Sequence, residues 1–122
     1  IFGDGGAAKA VKYVLKQLGI PYLVVVRKQA ENAILYDEVT PAVLDEFKIL
    51  INTTPLGMSP NLDTFPPIPY SCLTTAHLAY DLVYNPEETI FLSKAKQYGA
   101  KIKNGLEMLA LQAEKSWEIW NK

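Results

Sequence analysis

The strongest constraint on this chain is its opening, Ile1-Phe2-Gly3-Asp4-Gly5-Gly6-Ala7-Ala8-Lys9-Ala10, where an apolar strand end runs into a glycine turn and then a helix. Gly3 suits the tight strand-to-helix turn. Gly5 lets a backbone approach a phosphate with no Cβ in the way, and the small Ala8 at the third motif position allows close helix–strand packing. Free N–H groups of the first helical turn then face the phosphates, and the helix dipole favours their negative charge. The residues Gly3, Asp4, Gly5, Gly6 and Ala7 are therefore candidates for a dinucleotide diphosphate loop. An ordinary tight turn would use the same glycines; the strand before and the helix after favour the nucleotide reading.

From Ala7 to Leu18 the apolar positions Ala7, Val11, Val14, Leu15 and Leu18 recur at helical spacing, with Lys9, Lys12 and Lys16 opposite. Gly19 stops this helix and Pro21 forbids its continuation. Tyr22-Leu-Val-Val-Val26 reads as a parallel strand buried on both faces, completing a βαβ unit. That strand ends in Val26-Arg27-Lys28, where an NAD-binding domain carries an acidic residue about twenty positions after its glycines. A guanidinium pairs with a 2′-phosphate instead, so Arg27 and Lys28 point to NADP(H). The competing reading is a solvated basic strand end.

Gln29 to Val39 shows no trustworthy helical stripe, and Ala30 to Asp37 reads as loop. Thr40-Pro41 reads as a cap and first helical position of a helix to about Phe47. Lys48 to Ile51 is a further buried strand, followed by Asn52-Thr53-Thr54-Pro55-Leu56-Gly57-Met58, a polar loop expected to border the cofactor. Pro60, Pro66, Pro67 and Pro69 preclude regular structure from Ser59 to Pro69. One helical turn within Tyr70 to Thr75, a strand from His77 to Val83, a helix from Glu87 to Tyr98 with Ile90, Phe91 and Ala95 buried, and a strand from Ala100 to Lys103 follow. Asn104-Gly105 then turns into a helix whose core stripe is Leu106, Leu109, Ala110, Ala113, Trp117 and Trp120, with Gln112 off it. Strands alternating with helices specify an α/β domain, a Rossmann-like three-layer fold with a doubly wound, mainly parallel sheet across residues 1–122.

Net charge is -1 over 122 residues, which argues against a nucleic-acid surface, and no apolar run approaches a membrane span of about 20 residues. Cys72 is the single cysteine and fits a reducing, cytoplasmic setting; it reads as a buried small residue. The single histidine, His77, has no metal or nucleophile partner in the sequence and reads as packed or strand-edge. Asp4 and Asp63 read as exposed loop carboxylates. Only two residues precede the glycine turn, fewer than the five or so of a central strand, so a longer parent protein is expected.

Gly3 to Ala10, Asn52 to Met58, Asp81-Leu-Val-Tyr-Asn-Pro86 and Asn104 to Ala113, in that order and spacing, make the chain resemble the C-terminal, NADP-binding half of shikimate dehydrogenase. The resemblance implies reversible, NADPH-dependent reduction of 3-dehydroshikimate to shikimate, on the route to chorismate and the aromatic amino acids. It implies that Gly3 to Ala7 hold the diphosphate, that Arg27 clamps the 2′-phosphate, and that Leu82 and Gly105 lie by the nicotinamide. Thr53 falls in the cofactor-bordering loop, while Tyr84 and Gln112 match side chains that reach the substrate.

Two departures stand out. The family's clamp usually reads Asn-Arg-Thr where this chain has Val26-Arg27-Lys28, and Glu107 stands where the family often has glycine. The family's catalytic Lys and Asp belong to an N-terminal substrate domain, so no catalytic residue is assigned here; the small-molecule substrate is expected to be shared with that missing domain, and this piece alone is expected to be inactive. Competing readings are a quinate/shikimate or NAD-using relative and a nucleotide-sensing module that kept the fold without the chemistry.

Overall fold

The fold is that of a computed structural model describing residues 1–105, so the helix expected from 106 onward, Gln112 and Glu107 lie outside the described residues. All of its strand pairings are parallel. Strand β1 (Val25–Val26) pairs with β2 (Ile34–Leu35), and β4 (Leu78–Asp81) lies between β3 (Ile49–Asn52) and β5 (Lys101–Lys103). Phe2 joins the two sets by facing Val25 on one side and Asn52 on the other, so the spatial order is β2, β1, Phe2, β3, β4, β5. The chain winds outward from Phe2 first one way and then the other, which is the order reversal of a doubly wound sheet.

Backbone bonds lock that junction. The Phe2 N–H donates to the Ile51 carbonyl at 2.8 Å, while its own carbonyl accepts from the Thr53 N–H at 2.9 Å and the Thr53 hydroxyl at 2.6 Å. On the other side the Gly3 N–H donates to the Val25 carbonyl at 2.9 Å. The Phe2 ring is buried, stacked on Tyr36 and edge-on to Phe91, both at 5.8 Å between centroids. Tyr70 also meets Phe91 edge-on at 6.3 Å, and Leu44, Leu50, Leu73, Ala79 and Leu92 belong to the same core. Burial pushes the Tyr70 phenol pKa up, and its hydroxyl donates to the Pro66 carbonyl at 2.6 Å.

Helix α1 (Gly6–Gln17) starts directly after the glycine turn, α2 (Pro41–Glu46) is capped by the Thr40 hydroxyl accepting from Val43 N–H, and α3 (Ile90–Gln97) is capped likewise by Thr89 accepting from Leu92 N–H. The α2 cap and proline are those expected. Several expectations change. The strand expected from Tyr22 to Val26 is confined to Val25–Val26, and Tyr22, Leu23 and Val26 are only half-buried. Ala30 to Asp37 is not all loop: Ile34 and Leu35 form β2, because the Ile34 N–H reaches the Val24 carbonyl at 2.9 Å, and a 3-10 turn spans Tyr36–Glu38. The face of α1 is turned from the expected stripe: Ala8 is the buried residue, Val11 and Leu15 are half-buried, and Val14 and Leu18 are exposed. Helix α3 begins at Ile90, not Glu87, and buries Leu92 beside Phe91 and Ala95 while Ile90 is only half-buried.

His77 is packed as expected, with Nδ1 accepting from the Thr74 N–H at 3.0 Å and Nε2 meeting the Leu44 carbonyl at 2.6 Å, which assigns the proton to Nε2. Cys72 is half-buried against the core rather than fully buried. Ser59 to Pro69 has no regular structure, yet Pro66 and Ile68 are buried, so the segment is anchored at its end.

Because Phe2 joins both strand sets and centres the aromatic core, Phe2→Ala should lower unfolding stability by about 3–5 kcal/mol, read from urea denaturation midpoints.

Candidate functional site

Gly3 has φ +100°, and a Cβ there would lie 2.8 Å from the Thr53 hydroxyl oxygen and 2.9 Å from the Thr54 methyl. Only glycine fits, because its backbone conformation and the crowding by the neighbouring loop both exclude a side chain. The same closeness brings Gly3 and Thr53, two expected site residues, together at the carboxyl ends of the central strands, where an open α/β sheet holds its ligand.

Gly5 and Gly6 differ from Gly3. A Cβ at either meets nothing within 4 Å, and neither has a positive φ. Gly5 is the N-cap of α1 with extended backbone (φ -91°, ψ -159°), no side chain caps the helix, and its first turn has no acidic residue. The first-turn N–H groups therefore open onto a shallow, uncapped mouth, the arrangement that accepts an anion. Asp4 is exposed and pairs with Lys12 one face along the helix, so the carboxylate beside the mouth carries its own counter-charge. Ala7 is exposed at the mouth, and Ala8 behind it is fully buried.

Arg27 and Lys28 are exposed. Arg27 stands two residues beyond Val25, the register partner of Phe2, which puts it at the same strand ends as the glycine turn. Its charge opposes the burial that raises the Tyr36 pKa, and it makes no ion pair or hydrogen bond among the described residues.

The second part of the site is a cleft of about 410 Å³ lined by Thr53, Thr54, Pro55, Met58, Leu82 and Tyr84, among others. Tyr84 is 46% exposed and Leu82 half-buried. Gly105 is buried against the Leu82 backbone so closely that a Cβ would overlap the Leu82 carbonyl oxygen. Thr53, Leu82, Tyr84 and Gly105 thus meet at one end of the sheet, with Thr53 shared between cleft and glycine turn.

Beneath the cleft lies a buried polar chain that sequence reading missed. Asn52 and Asp81, each fully buried, end β3 and β4 and face each other in register. The Asn52 amide donates to Asp81 Oδ1 at 3.1 Å and its carbonyl oxygen accepts from the Thr54 N–H at 3.1 Å and the Thr54 hydroxyl at 2.6 Å. Asp81 also accepts from the Val83 N–H at 3.0 Å and the Thr89 hydroxyl at 2.7 Å. The signal available was a polar residue closing each of two apolar strands. Burial raises the Asp81 pKa, and the bonds from Thr89, Val83 and Asn52 pull it partly back. Among the described residues no His, Cys, Asp and Glu cluster is placed to hold a metal, and no helix is long and apolar enough to cross a membrane.

A carboxyl whose folded-state pKa is raised holds its proton more tightly when folded. Its stabilisation is full below the unfolded value and is lost as pH rises through the folded one. The stability of the unmutated chain relative to Asp81→Asn should therefore fall as pH rises above 3.8, in urea midpoints taken across acid pH; a rise would show that the hydrogen bonds outweigh burial.

No family profile matches the chain. A curated shikimate dehydrogenase (NADP(+)) from Desulforamulus reducens is 37% identical over 98% of the chain and 47% of its own length. A chorismate mutase/shikimate 5-dehydrogenase fusion protein from Clostridium acetobutylicum superposes with TM-score 0.79 at 38% identity, covering 98% of this chain and 46% of that one. Shikimate 5-dehydrogenase from Thermus thermophilus, solved in complex with NADP(H) and shikimate, gives TM-score 0.80 at 30% identity over 98% and 47%. The chain, spanning about half the length of the curated relatives it matches, is thus similar in sequence and in fold, over nearly all of its own length, to shikimate dehydrogenases.

Proposed function

We propose that this chain is the NADP(H)-binding half of a shikimate dehydrogenase, which together with a second, substrate-binding domain reduces 3-dehydroshikimate reversibly to shikimate. The observation that carries this reading is the pair Gly5 and Gly6. Neither the backbone conformation nor packing requires glycine there, since a Cβ at either position meets nothing. A side chain would, however, stand in the uncapped mouth of α1, where a diphosphate must come within hydrogen-bonding distance of the backbone. Two glycines that the fold does not need are accounted for by a ligand that does.

In this reading Gly3, Asp4, Gly5, Gly6 and Ala7 form the diphosphate loop, with Lys12 neutralising Asp4. Arg27, assisted by Lys28, pairs with the 2′-phosphate through its planar fork of donors. Val26 in place of a polar side chain leaves that recognition to the cations. Thr53, Leu82 and Gly105 border the nicotinamide, and Tyr84 reaches the substrate from the exposed rim of the cleft. Gln112 has the corresponding substrate role, from outside the described residues. The bound cofactor supplies a hydride; the chain's own residues orient it, and the proton-transferring Lys and Asp belong to the second domain. A similar enzyme is a shikimate dehydrogenase (NADP(+)), and another is solved in complex with NADP(H) and shikimate, which agrees with this assignment.

Titration calorimetry with NADPH and NADH should show a preference for NADPH, reduced by about 10- to 100-fold in Arg27→Ala, the loss of a charge-assisted pair. Equal affinity for the two cofactors would overturn the 2′-phosphate assignment. Gly5→Ala should keep its melting temperature and lose NADPH affinity by about tenfold or more, whereas unchanged affinity would overturn the diphosphate loop. The chain by itself should not turn over shikimate with NADP+.

A further inference from the structure

The fold does not need a carboxylate beneath the cleft. Strands β3 and β4 are already held by their backbone ladder, extended by the Leu82 N–H donating to the Asn52 carbonyl at 3.1 Å. Helix α3 is already capped by Thr89, whose oxygen accepts from the Leu92 N–H at 3.3 Å. A fully buried Asp81 is costly to desolvate, and apolar side chains of similar volume would serve a merely structural role as well.

What the polar chain alone provides is a set of bonds into the two loops that line the cleft. Through Asn52 it holds the Thr54 N–H, the Thr54 hydroxyl and, at 3.5 Å, the Leu56 carbonyl; through Asp81 it holds the Val83 N–H. The Thr54 hydroxyl in turn accepts from the Leu56 N–H at 3.2 Å. Thr54 and Val83 are themselves cleft residues, on opposite loops. Thr89 closes the set: its hydroxyl donates to Asp81 Oδ2, and its side chain lies against Gly57, which has φ +89° and would set a Cβ 3.2 Å from Thr89 Cβ. Every buried side-chain polar atom among the described residues has a partner, so the polar chain is fully satisfied.

We propose that Asn52, Asp81 and Thr89 act as positioning residues for the nicotinamide half of the cofactor, fixing the 53–57 and 82–84 loops relative to each other while leaving the adenosine half, held at α1 and Arg27, untouched. The proposal rests on the NADP(H) reading above. The hydrogen bonds of the polar chain go to Thr54, Leu56 and Val83 beside the cleft, and none of them goes to residues 4–7 or Arg27.

The test compares NADPH with 2′,5′-ADP, which carries the adenosine and its 2′-phosphate but no nicotinamide, on the unmutated chain, Thr89→Val and Thr89→Ser. Thr89→Val keeps the side chain's shape and removes the hydroxyl; Thr89→Ser restores it. Thr89→Val should weaken NADPH by about tenfold and change 2′,5′-ADP by less than about twofold, and Thr89→Ser should return NADPH to the unmutated value. A general loss of folding would not split the two ligands in this way. Equal weakening of both ligands, no weakening of NADPH, or no recovery in Thr89→Ser overturns the proposal while leaving the cofactor reading intact. Failure of the unmutated chain to bind either ligand overturns the cofactor reading and this proposal together. Should Thr89→Val not fold, Thr89→Ala, which removes the same hydroxyl, must show the same split, and its absence is equally decisive.

Discussion

Everything in this domain is registered to the main chain of Phe2. Its N–H and carbonyl tie it to β3 through Ile51 and Thr53, and the residues on either side of it tie it to β1, so one short segment carries the ladder from one half of the sheet to the other. A parallel strand buried on both faces has no water to fall back on, and each of these backbone groups must find its partner in the sheet. The ring then fills the layer between Tyr36 and Phe91, linking the β2 side of the molecule to α3 on the β4 side. Order reversal, core and ligand crevice are consequences of the same few bonds, because the point where the winding changes direction is also where Gly3 leaves the sheet beside Thr53.

From that point the two parts of the site are built by opposite means. The mouth of α1 is made by subtraction: no cap, no acidic residue, and glycines with empty space above them. The cleft is made by addition, with a satisfied polar chain from Thr54 to Thr89 setting loops that no regular structure would hold. Backbone amides suit the first task because a diphosphate presents many equivalent oxygens. A planar ring and its substrate demand the second, since their placement has to be fixed in direction as well as distance.

Much of this was legible in the sequence where the determinant is local. The glycine turn, the Thr40-Pro41 cap, the apolar runs of β3 and β4 and the breakers at Gly19 and Gly99 each act over a few residues. Thr89 is the same kind of cap as Thr40, and α3 begins after it at Ile90, three residues later than the expected Glu87. The rest depends on contacts far apart in the chain. Two residues of β2 become a strand only because Val24 and Val25 are beside them. The buried face of α1 is set by how closely Ala8 approaches the sheet, which leaves Val14 and Leu18 exposed despite their helical spacing. Asn52 and Asp81 are 29 positions apart, beyond the reach of any periodicity. Arg27 followed from its distance after the glycines, and the family resemblance supplied Leu82 and Tyr84; their placement at the carboxyl ends of the strands is what geometry adds.

Gly105 shows how little slack that edge has. Its backbone presses on the Leu82 carbonyl, and its N–H is aimed at the Val83 carbonyl at 3.4 Å. The segment leaving β5 is therefore seated directly on the tip of β4, main chain against main chain, with no side chain between them to act as a cushion. Displacement of one tip carries the other with it. The Leu82–Gly105 seam therefore gives the cleft one wall that is set by main-chain contact alone.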